Sequence, residues 1–171
     1  AGWLHPDRSW TGIGRRVLSR GAGPMGIIAA YAPYMDQLDQ IWKDGRHMIH
    51  VQRGPNIAAS QDANSKTFAT ANDALDRLCE QTGFSYSVYI EHALGKGEAT
   101  RQRFERSGDD EIRYIGADLE WAAIEASRIE KEAGRLPSNM ALLGGMDIGA
   151  PETLIAGVRK LGIKTEGSVM I

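Results

Sequence analysis

Three glutamates in the middle of the chain have the residue type and the setting for acid–base chemistry. Glu98 follows residues 86–94, in which apolar residues recur at helical spacing, and two glycines stand just before it. A carboxyl group held beside apolar side chains is driven towards its neutral form, because loss of water penalises the anion. A neutral carboxylic acid at pH 7 can protonate the bridging oxygen of a glycosidic bond. Glu98 is therefore the first candidate for a catalytic proton donor, and Glu91 and Glu80 are the next candidates.

The histidines do not form a metal-binding pattern. His47 and His50 are three residues apart and point to opposite faces of the short strand that this stretch predicts. His5 and His92 lie far from them along the chain, and no His-Glu-x-x-His run occurs. Because zinc enzymes need two or three such ligands around one ion, we expect no metal site. We expect His92 to be a half-buried or surface histidine.

Patterns for a nucleophile or a nucleotide are equally weak. Cys79 falls on the apolar side of a predicted helix, where it fits a small core residue better than a catalytic thiol. No Gly-x-Ser-x-Gly turn supports a serine nucleophile. Neither the Gly144-Gly145 pair nor residues 21–26 form a phosphate-binding loop. The sequence therefore predicts no cofactor.

The elements that position these glutamates are predicted to be mostly helices. Apolar residues at helical spacing predict helices over residues 35–44, 69–81, 86–94 and 117–133, and a further helix begins at Pro151. Residues 47–53 predict a short strand and residues 57–66 a polar loop, while residues 163–171 fit either a strand or a loose end. The predicted fold is mainly α with a small β element.

Length and composition set the domain organisation. The chain has 171 residues, 42 % hydrophobic and 25 % charged, which suits one globular domain. Residues 1–34 are rich in Gly, Arg, Trp and Pro and predict an irregular N-terminal arm, which leaves residues 35–171 as the catalytic domain. The net charge of −2 predicts no general attraction to nucleic acid.

Two groups of residues in the sequence are open to a binding role. The arm is locally basic, which fits either a solvated extension or a contact surface for a partner or a polyanion. Its arginines are Arg8, Arg15, Arg16 and Arg20. The tryptophans are expected in the core, with stacking on a sugar as the alternative for one of them. They are Trp3, Trp10, Trp42 and Trp121.

Two segments resemble phage-type lytic transglycosylases. Residues 134–150, which read GRLPSNMALLGGMDIGA, resemble the Gly-Arg-x-Pro-Thr/Ser … Gly-Ala segment of that family. Upstream, Thr82-Gly83-Phe84 followed by Glu98 is similar to the helix that carries the family's catalytic glutamate. The resemblance implies a lysozyme-like domain in which Glu98 is the catalytic acid.

Taken whole, the chain resembles the muralytic enzymes of the enveloped double-stranded RNA bacteriophages, the cystoviruses. That resemblance implies a peptidoglycan-degrading enzyme that lies between virion envelope and nucleocapsid, acts in the host periplasm, and opens the Gram-negative wall at entry and lysis. Its partners would be peptidoglycan and proteins of the envelope or nucleocapsid. The resemblance leaves two candidates for the bond that is cut. One is the diaminopimelate–D-alanine cross-link, cut by an endopeptidase, and the other is the glycan strand, cut by lytic-transglycosylase chemistry. The alternative is a non-catalytic virion protein that bridges envelope and nucleocapsid.

Overall fold

The computed structural model describes residues 2–19, 26–44, 53–107 and 111–171, which fall into two units, Ala1–Ala63 and Asn64–Ile171. The helices are α1 (Gly12–Ser19), α2 (Gly26–Met35), α3 (Leu38–Asp44), α4 (Arg53–Thr82), α5 (Glu98–Ser107), α6 (Trp121–Glu132) and α7 (Pro151–Lys160). The strands are β1 (Val88–His92), β2 (Arg113–Asp118), β3 (Ala141–Gly144) and β4 (Ser168–Met170). Within the described ranges, no helix has both the length and the apolar character needed to cross a membrane.

The second unit is built around a parallel sheet with the strand order β3-β2-β1-β4. Its central strands are rich in β-branched and aromatic residues, which favour strands buried on both faces. The chain runs outwards from β1 to β3 through α5 and α6, then returns through α7 to β4 on the other side of β1. Because such crossovers are right-handed, the change of direction places α7 on the opposite face of the sheet from α5 and α6.

Each face of the sheet carries its own hydrophobic core. Successive residues of a strand point to opposite faces, so Tyr89 and Ile90 of β1 belong to different cores. Tyr89 packs in the cluster that includes Ile124 of α6. Ile90 packs in the cluster that includes Leu154 and Val158 of α7. Helices therefore cover the sheet on both sides and leave the ends of its strands as the sites open to a ligand.

The predicted fold class is confirmed in part. Helices hold more of the described residues than strands do, but a small parallel sheet lies at the centre of the second unit, so the fold is mixed α/β. The lysozyme-like fold that the resemblance implies is not confirmed. The first unit contains α1 and α2, where the sequence predicts an irregular arm. The boundary between arm and domain after residue 34 stays a prediction.

The predicted helix over residues 86–94 is wrong, because these residues form β1 and the loop after it. A strand buried on both faces has consecutive apolar residues, and periodicity alone cannot tell such a short run from a helix. Ala93 and Gly95, with φ values of 57° and 58°, end the extended conformation. The predicted loop over residues 57–66 is also wrong, since it lies inside α4, where Ile57 and Ala59 are buried.

Other predicted elements agree better with the structure. Residues 69–81 lie within α4, most of residues 117–133 form α6, and α7 begins at Pro151 as predicted. The predicted helix over residues 35–44 corresponds to the end of α2 and to α3. The predicted strand over residues 47–53 lies outside the described residues, except that Arg53 begins α4. The core placement of the tryptophans is wrong, because all four are exposed.

Burial of Val158 decides the effect of a larger residue there. Val158 is fully buried against the sheet, in the cluster that contains Ile90 and Leu154. We predict that Val158→Phe lowers the free energy of unfolding by about 1–3 kcal/mol, because overpacking displaces its neighbours. Thermal unfolding measures the effect, and Ile155→Phe, at an exposed position of the same helix, should leave the Tm nearly unchanged. A Tm for Val158→Phe at or above that of the unmodified chain would contradict tight packing at this site.

Candidate acid–base site at the end of strand β1

Glu91 lies near the carboxyl end of β1, and only 3 % of its surface is exposed. Its Oε2 accepts a hydrogen bond of 2.7 Å from the backbone N–H of Thr100, and its Oε1 accepts a weaker one of 3.4 Å from that of Ala99. Both donors belong to the first turn of α5, where backbone N–H groups have no partner within the helix. Burial raises the pKa of Glu91 to about 7, because loss of water outweighs these hydrogen bonds.

Glu98 is the first residue of α5, and its carboxyl group is held by several donors. Its Oε1 accepts hydrogen bonds from Ser65 Oγ (3.0 Å), Arg101 Nη2 (2.7 Å) and Gln102 Nε2 (2.7 Å), and Oε2 accepts one from Arg101 Nε (2.9 Å). Burial acts to raise the pKa of Glu98, but these donors outweigh it, so the pKa is below its usual value. The predicted neutral carboxyl group at Glu98 is therefore wrong, because the side chain begins a helix and is held as an anion. A catalytic role for Glu98 stays a prediction.

The structure brings Glu91 and Glu98 together at the start of α5. The negative charge of Glu98 is one of the causes that raise the pKa of Glu91, as expected for two carboxyl groups in one site. Their environments move the two pKa values in opposite directions. In such a pair, the carboxyl group with the higher pKa carries the proton and can act as the acid, while the other stays anionic.

Asp118 ends β2, the strand beside β1, and connects the two loops at this edge of the sheet. Its Oδ2 accepts the backbone N–H of Gly95 (3.1 Å), and its Oδ1 accepts that of Glu120 (2.9 Å). The chain leaves β1 towards β2 on one side and reaches β4 on the other, so the order of strands reverses at β1. In open α/β sheets, ligands bind at the carboxyl ends of the strands, where this reversal occurs.

The loop of residues 93–97 does not have the surroundings of a phosphate site. Gly95 and Gly97 follow a strand and precede a helix, which is where nucleotide-binding folds hold a phosphate against helical N–H groups. Here the carboxyl group of Glu91 already accepts the N–H groups of Ala99 and Thr100. Among the described residues, no three His, Cys, Asp or Glu side chains form a group that could hold a metal ion.

Glu80 lies apart from the other two candidates. It lines a cavity of about 430 Å³ together with Cys79, Tyr86, Arg103 and Ile112. Tyr86 precedes β1 and Ile112 precedes β2, so this cavity is at the amino ends of the strands, opposite Glu91. Cys79 is a half-buried free thiol on α4. The structure therefore joins Glu91 with Glu98 and separates both from Glu80.

His92 and Trp121 complete the carboxyl edge of the sheet. His92 is half-buried, as predicted, and both of its ring nitrogens are buried with no hydrogen-bond partner among the described residues. It points away from Glu91, because consecutive residues of a strand face opposite sides. Trp121 begins α6, and its ring lies so close to Gly144 that a Cβ there would come within 2.7 Å of it. Its exposed indole gives this edge an apolar surface.

Sequence reasoning missed Asp118, Gln102 and Ser65 as parts of this site. Asp118 had a detectable signal, because it follows the apolar run Tyr114–Ala117 just as Glu91 follows Val88-Tyr89-Ile90. Acidic residues after two buried parallel strands meet at one edge of a sheet. Ser65 had no such signal, because its contact with Glu98 joins residues 33 positions apart in the sequence.

The raised pKa of Glu91 predicts how stability depends on pH. Below pH 4.5, the usual glutamate value, the carboxyl group is protonated in both states and its full contribution to stability is present. As pH rises towards about 7, the unfolded chain loses the proton first, so the free energy of unfolding should fall by roughly 3 kcal/mol. Glu91→Gln should lack this fall in chemical denaturation between pH 4.5 and 7. A constant difference between the two proteins over that range, or a carboxyl ¹³C titration of Glu91 with a midpoint near 4.5, would contradict the prediction.

No protein-family model matches the sequence, and no curated protein shows significant similarity to it.

Proposed function

We propose that the unit Asn64–Ile171 is an acid–base catalyst that acts at the carboxyl end of β1. The observation that carries this proposal is the pair at the start of α5: Glu91, with a pKa raised to about 7, beside Glu98, with a lowered pKa. At neutral pH Glu91 exchanges a proton readily, which is the property that general acid–base catalysis needs. Glu98 stays charged in its ion pair with Arg101, and in the proposed reaction it stabilises positive charge that develops on a substrate.

Access to Glu91 requires movement of the loop that follows β1. Since the side chain is 3 % exposed, a substrate reaches it only when residues 93–97 shift away from α5. Opening would break contacts that anchor this loop, because Leu94 is fully buried in the core and Gly95 is hydrogen-bonded to Asp118 and Ser127. The proposal therefore includes a substrate-driven opening of the loop, for which substrate binding must offset the loss of these contacts.

The proposed substrate is peptidoglycan. Support comes from the two segments that resemble lytic transglycosylases and from the exposed indole of Trp121 at the same edge of the sheet as Glu91. Aromatic side chains offer saccharides an apolar face beside hydrogen-bonding groups. We also propose that the protein lies in the virion between envelope and nucleocapsid and acts in the host periplasm.

On a glycan strand the two glutamates would divide the chemistry between them. Glu91 gives its proton to the bridging oxygen as the bond from that oxygen to the anomeric carbon breaks. The carboxylate of Glu98 faces the positive charge that develops on the sugar. Glu91, now anionic, then takes a proton from a hydroxyl of the same sugar, which closes an anhydro ring. On a peptide cross-link, anionic Glu91 would instead activate water as a general base.

Glu91→Gln and Glu98→Gln test the proposal on purified Gram-negative sacculi. We predict that each substitution lowers the rate of fragment release by about 100-fold or more, because general acid–base catalysis contributes 10²–10⁴-fold. The rate of the unmodified protein should fall above pH 7 as Glu91 loses its proton. Glu105→Gln is the matched control, since Glu105 lies on the same helix, pairs with Arg101 and is more exposed.

Mass spectrometry of the released fragments identifies the bond. Anhydro-muropeptides would indicate transglycosylase chemistry, reducing ends a hydrolysing muramidase, and new free amino groups a cross-link endopeptidase. Equal activity of the Glu91→Gln variant and the unmodified protein would contradict the proposed acid. Sacculi left intact by the unmodified protein would contradict peptidoglycan as substrate and favour the non-catalytic bridging protein.

A further inference from the structure

Residues 2–19 form a tightly built motif in the first unit. Leu4 and Trp10 form an antiparallel bridge, after which Thr11 precedes α1. The Thr11 hydroxyl accepts the backbone N–H of Gly14 (3.0 Å) and donates to the carbonyl of Gly2 (2.7 Å), so it caps the helix and ties it to the start of the motif. A Cβ at Gly14 would lie 2.8 Å from the Trp10 ring, so that ring packs directly on α1.

This motif nevertheless leaves large apolar side chains exposed. They are Trp3 (44 %), Leu4 (48 %), Trp10 (41 %), Ile13 (52 %) and Leu18 (53 %). The bridge places Leu4 beside Trp10, the Trp10 ring lies over Gly14, and Leu18 is one helical turn further along the same face. Leu4, Trp10 and Leu18 therefore follow one surface, and Ile13 is next to Gly14 on α1. We call the five exposed apolar residues of this motif the indole face. Exposed apolar patches mark surfaces that bind a partner or a membrane.

The charges around the indole face have one predominant sign. Residues 2–19 contain Arg8, Arg15 and Arg16, all exposed, against Asp7 as the acidic residue. Asp7 accepts both the backbone N–H (2.9 Å) and the hydroxyl (2.7 Å) of Ser9, so its charge is bound within its own turn. Arg15 Nη1 donates to the backbone carbonyl of Trp10 (2.7 Å), which holds a guanidinium group at the backbone of an exposed tryptophan.

We propose that the indole face binds the surface of an anionic lipid membrane. Tryptophan is favoured at the membrane interface, where its ring is buried and its N–H stays near water. Short amphipathic helices with apolar and arginine-bearing faces bind this region through buried apolar area and attraction to anionic lipid. A protein groove would suit the apolar residues, but the three exposed arginines of residues 2–19 match the phosphates of a lipid surface better. This proposal does not depend on the activity of Glu91.

Vesicle binding of the full chain tests the proposal. Co-sedimentation should show partitioning onto vesicles of phosphatidylglycerol and phosphatidylcholine, weaker partitioning onto pure phosphatidylcholine, and loss of the difference in high salt. The double substitution Ile13→Ser with Leu18→Ser should lower the partition coefficient at least tenfold. Arg16→Glu should weaken binding to the anionic vesicles and leave binding to the neutral ones unchanged.

The matched control is Leu119→Ser with Ile129→Ser, which removes apolar groups of nearly equal exposure, 53 % and 51 %, from the other unit. It should leave partitioning unchanged. Quenching of tryptophan fluorescence by brominated lipid gives a second measurement on the unmodified chain, in case the double variant does not fold. Three results would each overturn the proposal. The first is no partitioning onto anionic vesicles, and the second is an equal loss of partitioning in the double variant and the control. The third is binding to heparin that survives Ile13→Ser with Leu18→Ser while vesicle binding is absent.

Discussion

The carboxyl group of Glu91 joins the end of β1 to the start of α5, and the candidate site depends on that junction. It accepts N–H groups of the first helical turn that would otherwise be buried without partners. The same turn is fastened to α4, because the Asn72 side-chain amide donates to the carbonyl of Ala99 (3.2 Å). The Tyr89 hydroxyl in turn donates to the Asn72 amide oxygen (3.3 Å). One buried network therefore fixes where β1 ends, where α5 begins and how α4 lies against both.

Ion pairs extend this attachment along α5. Arg103 pairs with Asp76, and Arg106 pairs with both Asp73 and Asp76 near the other end of the helix. Burial acts to raise the pKa of Asp76, but the two arginines outweigh it and the pKa is lowered. The loop of residues 93–97 is anchored as well, because Leu94 is fully buried in the core and Gly95 is hydrogen-bonded to Asp118 and Ser127. Both the helix after Glu91 and the loop before that helix are therefore held in place by the rest of the unit.

Hydrophobic periodicity in the sequence locates helices that have one buried face. It does not identify segments that are buried on both faces. Pro151 and the spacing of Leu154 and Val158 locate α7, because one buried face leaves a 3.6-residue period. The run Val88-Tyr89-Ile90 is buried from both faces, so its pattern carries no period that separates strand from helix. Because of the same error, the sequence prediction places Glu98 after the end of a helix, whereas Glu98 is the first residue of α5 in the structure. Ser65, which donates to Glu98, lies in the stretch that its polarity predicts to be a loop. That stretch is helical in the structure, because tertiary contacts outweigh the local preference.

The two glutamates at the start of α5 differ in the charge that their surroundings favour. Glu98 is stabilised as an anion by the side chains of Arg101, Gln102 and Ser65, which lower its pKa. Glu91 is in the opposite position, because its burial makes the anion unfavourable and lowers stability at neutral pH. A glutamine there would still accept one backbone N–H without a titrating group. Residues that reduce stability in this way are characteristic of reactive sites, where a shifted pKa serves proton transfer. Glu98 therefore has the lowered pKa of an anionic partner, and Glu91, one of the next candidates from the sequence, has the raised pKa that the proposed acid requires.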